Sequence, residues 1–196
     1  MARDPEATKR RIFEAATDEF ARHGIAGARI DRIAKHAGAN KQLIYAYFGS
    51  KQALFDRVVT DQVARFHHEV HLDPEDVPAF AGAAFDFFTD NPAIVRLGSW
   101  HSLEAGQGVT RIEAIERSIA RHLRALREAQ AAGRIDSTVA PDELLVMIYA
   151  LARAWVVATP ELQPGETDER PSRLKRRRAV VEATRRLVSP SPPDNA

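Results

Sequence analysis

No cysteine occurs anywhere in the 196 residues, which removes a disulfide framework, a thiolate metal site and a cysteine nucleophile in one step. No apolar run is long enough to span a bilayer. The opening "MARDPEATKRR" is too polar for a secretory leader, so a cytoplasmic location is expected, with no membrane partner. Net charge is nearly absent as well, at +1. That total hides an asymmetry: residues 1–58 carry 11 Lys or Arg against 7 Asp or Glu, and the rest of the chain 17 against 20. A small basic segment on a mildly acidic remainder points to a polyanionic partner for the N-terminal part.

Strand-like alternation is missing too, and there is no internal repeat. What remains is helical periodicity. Thr8 to Arg22 places Ile12, Ala15, Ala16 and Phe20 on one stripe, ending where Gly24 would supply a left-handed cap. Ile30, Ile33, Ala34 and Ala37 make a short second helix stopping at Gly38, Asn40 caps a third, and Ser50 caps a longer fourth with Leu54, Phe55, Val58, Val59 and Phe66 inside. Longer helices follow, over Pro78 to Asp90, Pro92 to about Ala105, Thr110 to Ala132, Pro141 to about Ala158 and Ser172 to Leu187. They are separated by "EAGQGV", "GRIDSTVAP" and "TPELQPGETDERP". In the helix from Thr110 the register expected to be buried is Ile112, Ile115, Ile119, Leu123 and Leu126. The fold class is all-α with about nine helices, and the tail 189–196, "SPSPPDNA", is expected to be disordered.

The stretch "AGANKQLIYAYFGSK", Ala37 to Lys51, carries the functional signal. Two short helices joined by "AGAN" have the spacing of a helix-turn-helix, whose second helix lies in the DNA major groove. Ile33, Ile44 and Phe48 face the core, which leaves Lys41, Gln42, Leu43, Tyr45, Ala46 and Tyr47 outward or partly outward. Gln pairs bidentately with adenine, and Ala or Leu can touch a thymine methyl. Tyr hydroxyls and Lys ammonium groups suit phosphate oxygens.

With those residues in view, "RIDRIAKHAGANKQLIYAYFGSKQALF" resembles the DNA-binding domain of the tetracycline-repressor family. The family pattern is present as Ile33-Ala34, Ala37-Gly38, Tyr45-Ala46-Tyr47-Phe48 and Ser50-Lys51-Gln52-Ala53-Leu54. The resemblance implies an N-terminal three-helix DNA-binding domain over residues 1–50 and an effector-binding and dimerisation domain over 51–188. Gln42, Leu43, Tyr45 and Tyr47 would then face the groove, with Lys51 on phosphate. It also implies double-stranded operator DNA, a second copy of the chain and a small-molecule effector as partners, with no cofactor and no catalysis. Two positions depart from the pattern. Ala28-Arg29 stands where Thr-Thr usually opens the second helix, so Arg29 takes the phosphate contact and the cap is unexplained. Gln42 stands where a small residue is usual.

"HHEVH" places His67 and His71 one helical turn apart with His68 beside them, but no third ligand is evident nearby, and no metal site is assigned. "GSWHS" has no strand-turn-helix setting for a nucleophile. The basic run Arg173 to Arg178 is expected to be solvated or paired with acids such as Glu182 and Asp168. The helix Asp142 to Ala158, apolar on nearly every face, needs burial on more than one side. A dimer meets that need, with the Leu174, Val180, Val181, Thr184, Leu187 and Val188 face of the last helix. By the resemblance the effector lies inside the body, where Phe66, Phe85, Phe88, Trp100 and Trp155 supply apolar wall and His67, His101 and Tyr149 polar groups. A small apolar or aromatic effector releasing a repressor from a palindromic operator is expected. The alternatives are a metal or protein signal, or a transcriptional activator.

Overall fold

A computed structural model describes residues 4–104, 112–159, 161–162 and 170–190. The glycine-rich break after Glu104, most of the long loop with Asp168, and all of the tail but Ser189 and Pro190 lie outside them. Helices are the only regular elements among the described residues: α1 (Pro5–Gly27), α2 (Ile30–Ala37), α3 (Lys41–Phe48), α4 (Lys51–Glu69), α5 (Val77–Asp90), α6 (Pro92–Glu104), α7 (Glu113–Ala131), α8 (Pro141–Val157) and α9 (Arg170–Val188). None of the described helices is long and apolar enough to cross a membrane.

The chain divides into two compact units, Met1–Arg65 with Pro92–Ile115, and Phe66–Asn91 with Glu116–Ala196. In the first, α1 packs on α2 and α6, and α2 on α3. Its core is built from the residues of the expected stripes, with Ile12, Phe20, Ile33 and Leu54 fully enclosed and Phe20 meeting Phe55 edge to face at 5.2 Å. Each such side chain contributes about 1.5–3 kcal/mol by leaving water. In the second unit, α5 packs on α8 and α9.

Capping follows local chemistry. The Asn40 side chain accepts from Leu43 N–H at 2.8 Å, Ser50 Oγ from Ala53 N–H at 3.0 Å, and Asp76 from Ala79 N–H at 3.1 Å. Gly38 closes α2 in the left-handed region, at φ 59° and ψ 36°. Gly24 does not end α1. It holds φ 62° and ψ −179° at a kink, a conformation costly for a side-chain-bearing residue, and one more turn carries the helix to Gly27.

Three other expectations change. In α7 the buried stripe runs through Ser118, His122, Leu126 and Ala129, while Ile119 is 42% exposed. The register slips because Ser118 and His122 have hydrogen-bonding partners inside the unit, which makes their burial tolerable. In α9, Val180, Thr184 and Val188 are buried within the protomer. Val181 lies so close over Gly82 that a methyl there would meet its Cγ2 at 2.8 Å. In the basic run Lys175 and Arg178 are exposed as expected, but two arginines pair across to α5 and not with Glu182: Arg173 donates to both Asp90 oxygens at 2.6 and 2.9 Å, and Arg177 to Asp86 at 2.6 Å. Glu182 instead holds Arg185 and Arg186.

Candidate nucleic-acid interface

α3 is too short to be stable alone and depends on its neighbours. Ile44 is its one fully buried side chain, and Phe48 and Tyr47 lie partly buried against the same core. Tyr47 is more enclosed than an outward position predicts: it meets Phe48 edge to face at 6.4 Å, and Lys9 Nζ sits 5.3 Å from its ring centroid. Leu43 is half-buried, whereas Lys41, Gln42, Tyr45 and Ala46 are exposed. The exposed face of α3 therefore presents an amide, a phenol and a methyl group together.

The cations gather at the start of α2. Arg29 is exposed and occupies the cap position in extended conformation. Lys51 Nζ donates to the Ala28 carbonyl at 3.3 Å, one residue before it. Lys41 pairs with Asp31 in the first turn of α2 at 3.0 Å; this pair is exposed, and a phosphate can compete for the ammonium. As at any helix start, the first N–H groups of α2 lack intrahelical acceptors, and an anion is favoured there. Glu19, which no sequence motif singles out, accepts from the Arg29 N–H at 2.8 Å and so satisfies one of the free donors at this helix end. Its only sequence signal is an acid directly before the buried Phe20 on the apolar side of α1.

A second constellation lies in the second unit. Phe66, Phe80, Phe87 and Phe88 surround His67, His122 and Tyr149, with Phe66 stacked on Phe88 at 5.3 Å and the two imidazoles 4.9 Å apart. Tyr149 Oη and His122 Nδ1 share a hydrogen bond of 2.9 Å, and Ser118 bonds the same phenol. His67 Nε2 is buried with no partner among the described atoms. Of the expected effector residues, Phe66, His67, Phe88 and Tyr149 come together here, joined by His122, which the charged appearance of α7 conceals. Phe85 is buried in the core of this unit, and Trp155 is covered by the Arg176 guanidinium at 4.9 Å. Trp100 and His101 belong to the first unit, where the indole N–H donates to the Ala21 carbonyl at 3.3 Å. His71 follows the end of α4 at Glu69, so it and His67 do not share a helical turn. No group of three or more His, Cys, Asp or Glu among the described residues is placed to hold a metal ion.

Electrostatics in the cluster favour neutral forms. Burial, aided by His67 and Arg121, lowers His122 to about 4, and burial raises the Tyr149 phenol. Because the folded His122 resists protonation, the unfolded chain binds the proton first as pH falls. Its stabilising contribution is therefore intact above pH ~6.5 and is lost between there and pH ~4, by about 3 kcal/mol for a shift of this size. Denaturant titrations across that range should show the loss, and His122→Gln should reduce the slope, leaving the part due to His67, which burial also lowers. A slope unchanged in the variant would place the titration elsewhere.

Residues 12–58 match the family described as bacterial regulatory proteins, tetR family, and residues 76–186 match the tetracyclin repressor-like C-terminal domain. The chain is 42% identical over 191 residues to the HTH-type transcriptional repressor SCO4008 of Streptomyces coelicolor, covering 95% of this chain and 98% of that one. It is 31% identical over 112 residues to the HTH-type transcriptional repressor NicS of Pseudomonas putida, covering 54% and 53%. The crystal structure of SCO4942 from Streptomyces coelicolor superposes with a TM-score of 0.79 at 39% identity, over 92% of this chain and 98% of that one. The chain belongs to the tetracycline-repressor family and is a DNA-binding transcriptional regulator.

Proposed function

We propose that the protein is a homodimeric repressor that leaves a palindromic operator when its body takes up a small, uncharged, mostly aromatic effector. Residues 1–50 are read as the DNA-binding domain and 51–188 as the effector and dimer domain. The observation that carries the DNA reading is the gathering of Arg29, Lys41 and Lys51 at the start of α2 beside the exposed Gln42 and Tyr45. Gln42 reads bases, while Arg29, Lys41 and Lys51 hold phosphate and fix the register of α3 in the groove. Repression rather than activation is supported by the full-length relative named as a repressor.

The effector reading is supported by the aromatic cluster around His67, His122 and Tyr149, where buried polar groups are neutral. Apolar rings with a few neutral hydrogen-bonding groups between them suit an uncharged ligand, which leaves water at little cost. Binding need distinguish the two dimer conformations by only about 2–3 kcal/mol to change operator occupancy.

Selection of duplexes from a random-sequence pool tests this function, followed by release with a panel of uncharged aromatic compounds. Gln42→Ala should change discrimination between selected and altered duplexes by about 1–3 kcal/mol per site. Lys51→Ala should weaken all duplexes alike and lower the salt slope by about one per contact. If neither substitution moves affinity, preference or salt dependence, α3 and the α2 N-terminus are not the DNA surface. If no compound raises the melting temperature and releases the duplex, the effector class is wrong.

A further inference from the structure

Glu19 is only 5% exposed, and carboxylates are almost never so buried unless paired. Its partners are specific. One oxygen accepts from the backbone N–H of Arg29 at 2.8 Å and from Arg32 Nε at 2.8 Å, with Arg32 Nη2 at 2.6 Å. Arg32 also donates to the Gly27 carbonyl at 2.9 Å, and His23 Nε2 lies 3.9 Å from the second carboxylate oxygen. Burial pushes the Glu19 carboxyl up, but the Arg32 and Arg29 hydrogen bonds and the Arg32 charge outweigh it, leaving the acid below its ordinary value.

Arg29 occupies the cap position of α2 at φ −123° and ψ 123° and makes no side-chain cap bond. Arginine has no acceptor and cannot cap in this way. The carboxylate that serves this helix end comes instead from α1, ten residues earlier, and its negative charge also complements the helix dipole. A cap supplied from inside frees the residue at the cap position to carry a cation outward. With Lys51 held on the neighbouring Ala28 carbonyl at 3.3 Å, the exposed edge of this turn bears two positive side chains and no capping hydroxyl.

We infer that Glu19 is a positioning residue for DNA binding: by capping α2 through the Arg29 N–H, it fixes the backbone from which Arg29 reaches a phosphate. The inference rests on the reading of Arg29 as a DNA contact. It differs from a glue role between α1 and α2, which predicts a loss of stability with no specific effect on the Arg29 contact.

The experiment uses the full chain and a duplex enriched by the wild-type protein from a random pool. Glu19→Met keeps the volume and removes the acceptor; Glu19→Gln keeps an acceptor oxygen and removes the charge. Glu19→Met should weaken duplex binding about tenfold and lower the salt slope by about one per subunit. Glu19→Gln should stay within about threefold of wild type, because an amide oxygen still accepts the N–H. Arg29→Ala should weaken the wild type but add nothing in the Glu19→Met background. Adding Arg29→Thr to Glu19→Met supplies a hydroxyl cap at the helix end itself and should recover melting temperature without recovering the affinity that the Arg29 contact supplied. That arm holds even if Glu19→Met alone folds poorly. Equal losses in Met and Gln would assign the effect to the Arg32 ion pair and overturn the inference. So would wild-type binding in Glu19→Met, or an Arg29→Ala effect of equal size in both backgrounds. Failure of the wild type to enrich any duplex would overturn the DNA reading together with this one.

Discussion

Glutamate at both Val146 and Met147 should give monomers in sedimentation and a loss of operator affinity of about two to four orders of magnitude. Helix α8 buries Leu144, Leu145, Ile148 and Ala152 in its own protomer. Its other side keeps Val146 at 64%, Met147 at 43% and Val157 at 55% exposure, with Ala150 and Ala154 exposed between them. Leu174 on α9 is 57% exposed as well. A monomer gains nothing by displaying such a stripe, and contiguous apolar patches of this kind mark association surfaces. Two inserted carboxylates cannot be desolvated against a second apolar stripe without a cost that exceeds what the contact returns. The DNA consequence follows from linkage. In the proposed dimer two recognition helices read two half-sites about 34–36 Å apart, and a monomer would lose the effective concentration that one bound half gives the other. Val181→Glu is a poorer probe, since Val181 is packed over Gly82 and the variant would damage the protomer first. Dimers that persist at micromolar protein with both glutamates in place would move the interface away from α8.

Phe20→Ala should remove about 3–5 kcal/mol from the first unit, a large share of the ~5–15 kcal/mol that a domain has in total. The ring is fully enclosed, meets Phe55 edge to face at 5.2 Å, and is followed directly by Ala21, whose carbonyl takes the Trp100 indole. Truncation leaves a cavity among fully enclosed side chains, where little collapse is possible. Trp100 and Trp155 lie in different units, so each can be followed alone. In a Trp155→Phe background the Trp100 signal should melt roughly 10 °C lower with Phe20→Ala, taking a few degrees per kcal/mol. Phe20→Leu should cost far less, because most of the volume is kept. An Ala variant that melts with wild type would mean that the ring is not part of the folding core.

Much of the DNA-binding unit is set by nearest neighbours and is therefore readable in order along the chain. Asn40 and Ser50 cap the helices that follow them, Gly38 takes the left-handed turn, and the apolar stripes of α1, α2 and α4 become its core. These outcomes depend on residues three or four positions apart, and one sequence contains them all. The cap of α2 was not readable, because Arg29 cannot provide it and Glu19 reaches it only once α1 and α2 are packed. For the same reason Arg173 and Arg177 found Asp86 and Asp90 on α5, more than eighty residues away. His122, in a helix that reads as charged, became the buried partner of Tyr149. Sequence by itself determined helix type, most helix ends and the helix-turn-helix segment, since backbone hydrogen bonding and amphipathic period are local, while the end of α1 passed beyond Gly24. Tertiary structure alone decided which polar groups are buried. A carboxylate, an imidazole or a guanidinium can leave water only where another element brings it a partner, and no periodicity within one helix encodes that meeting.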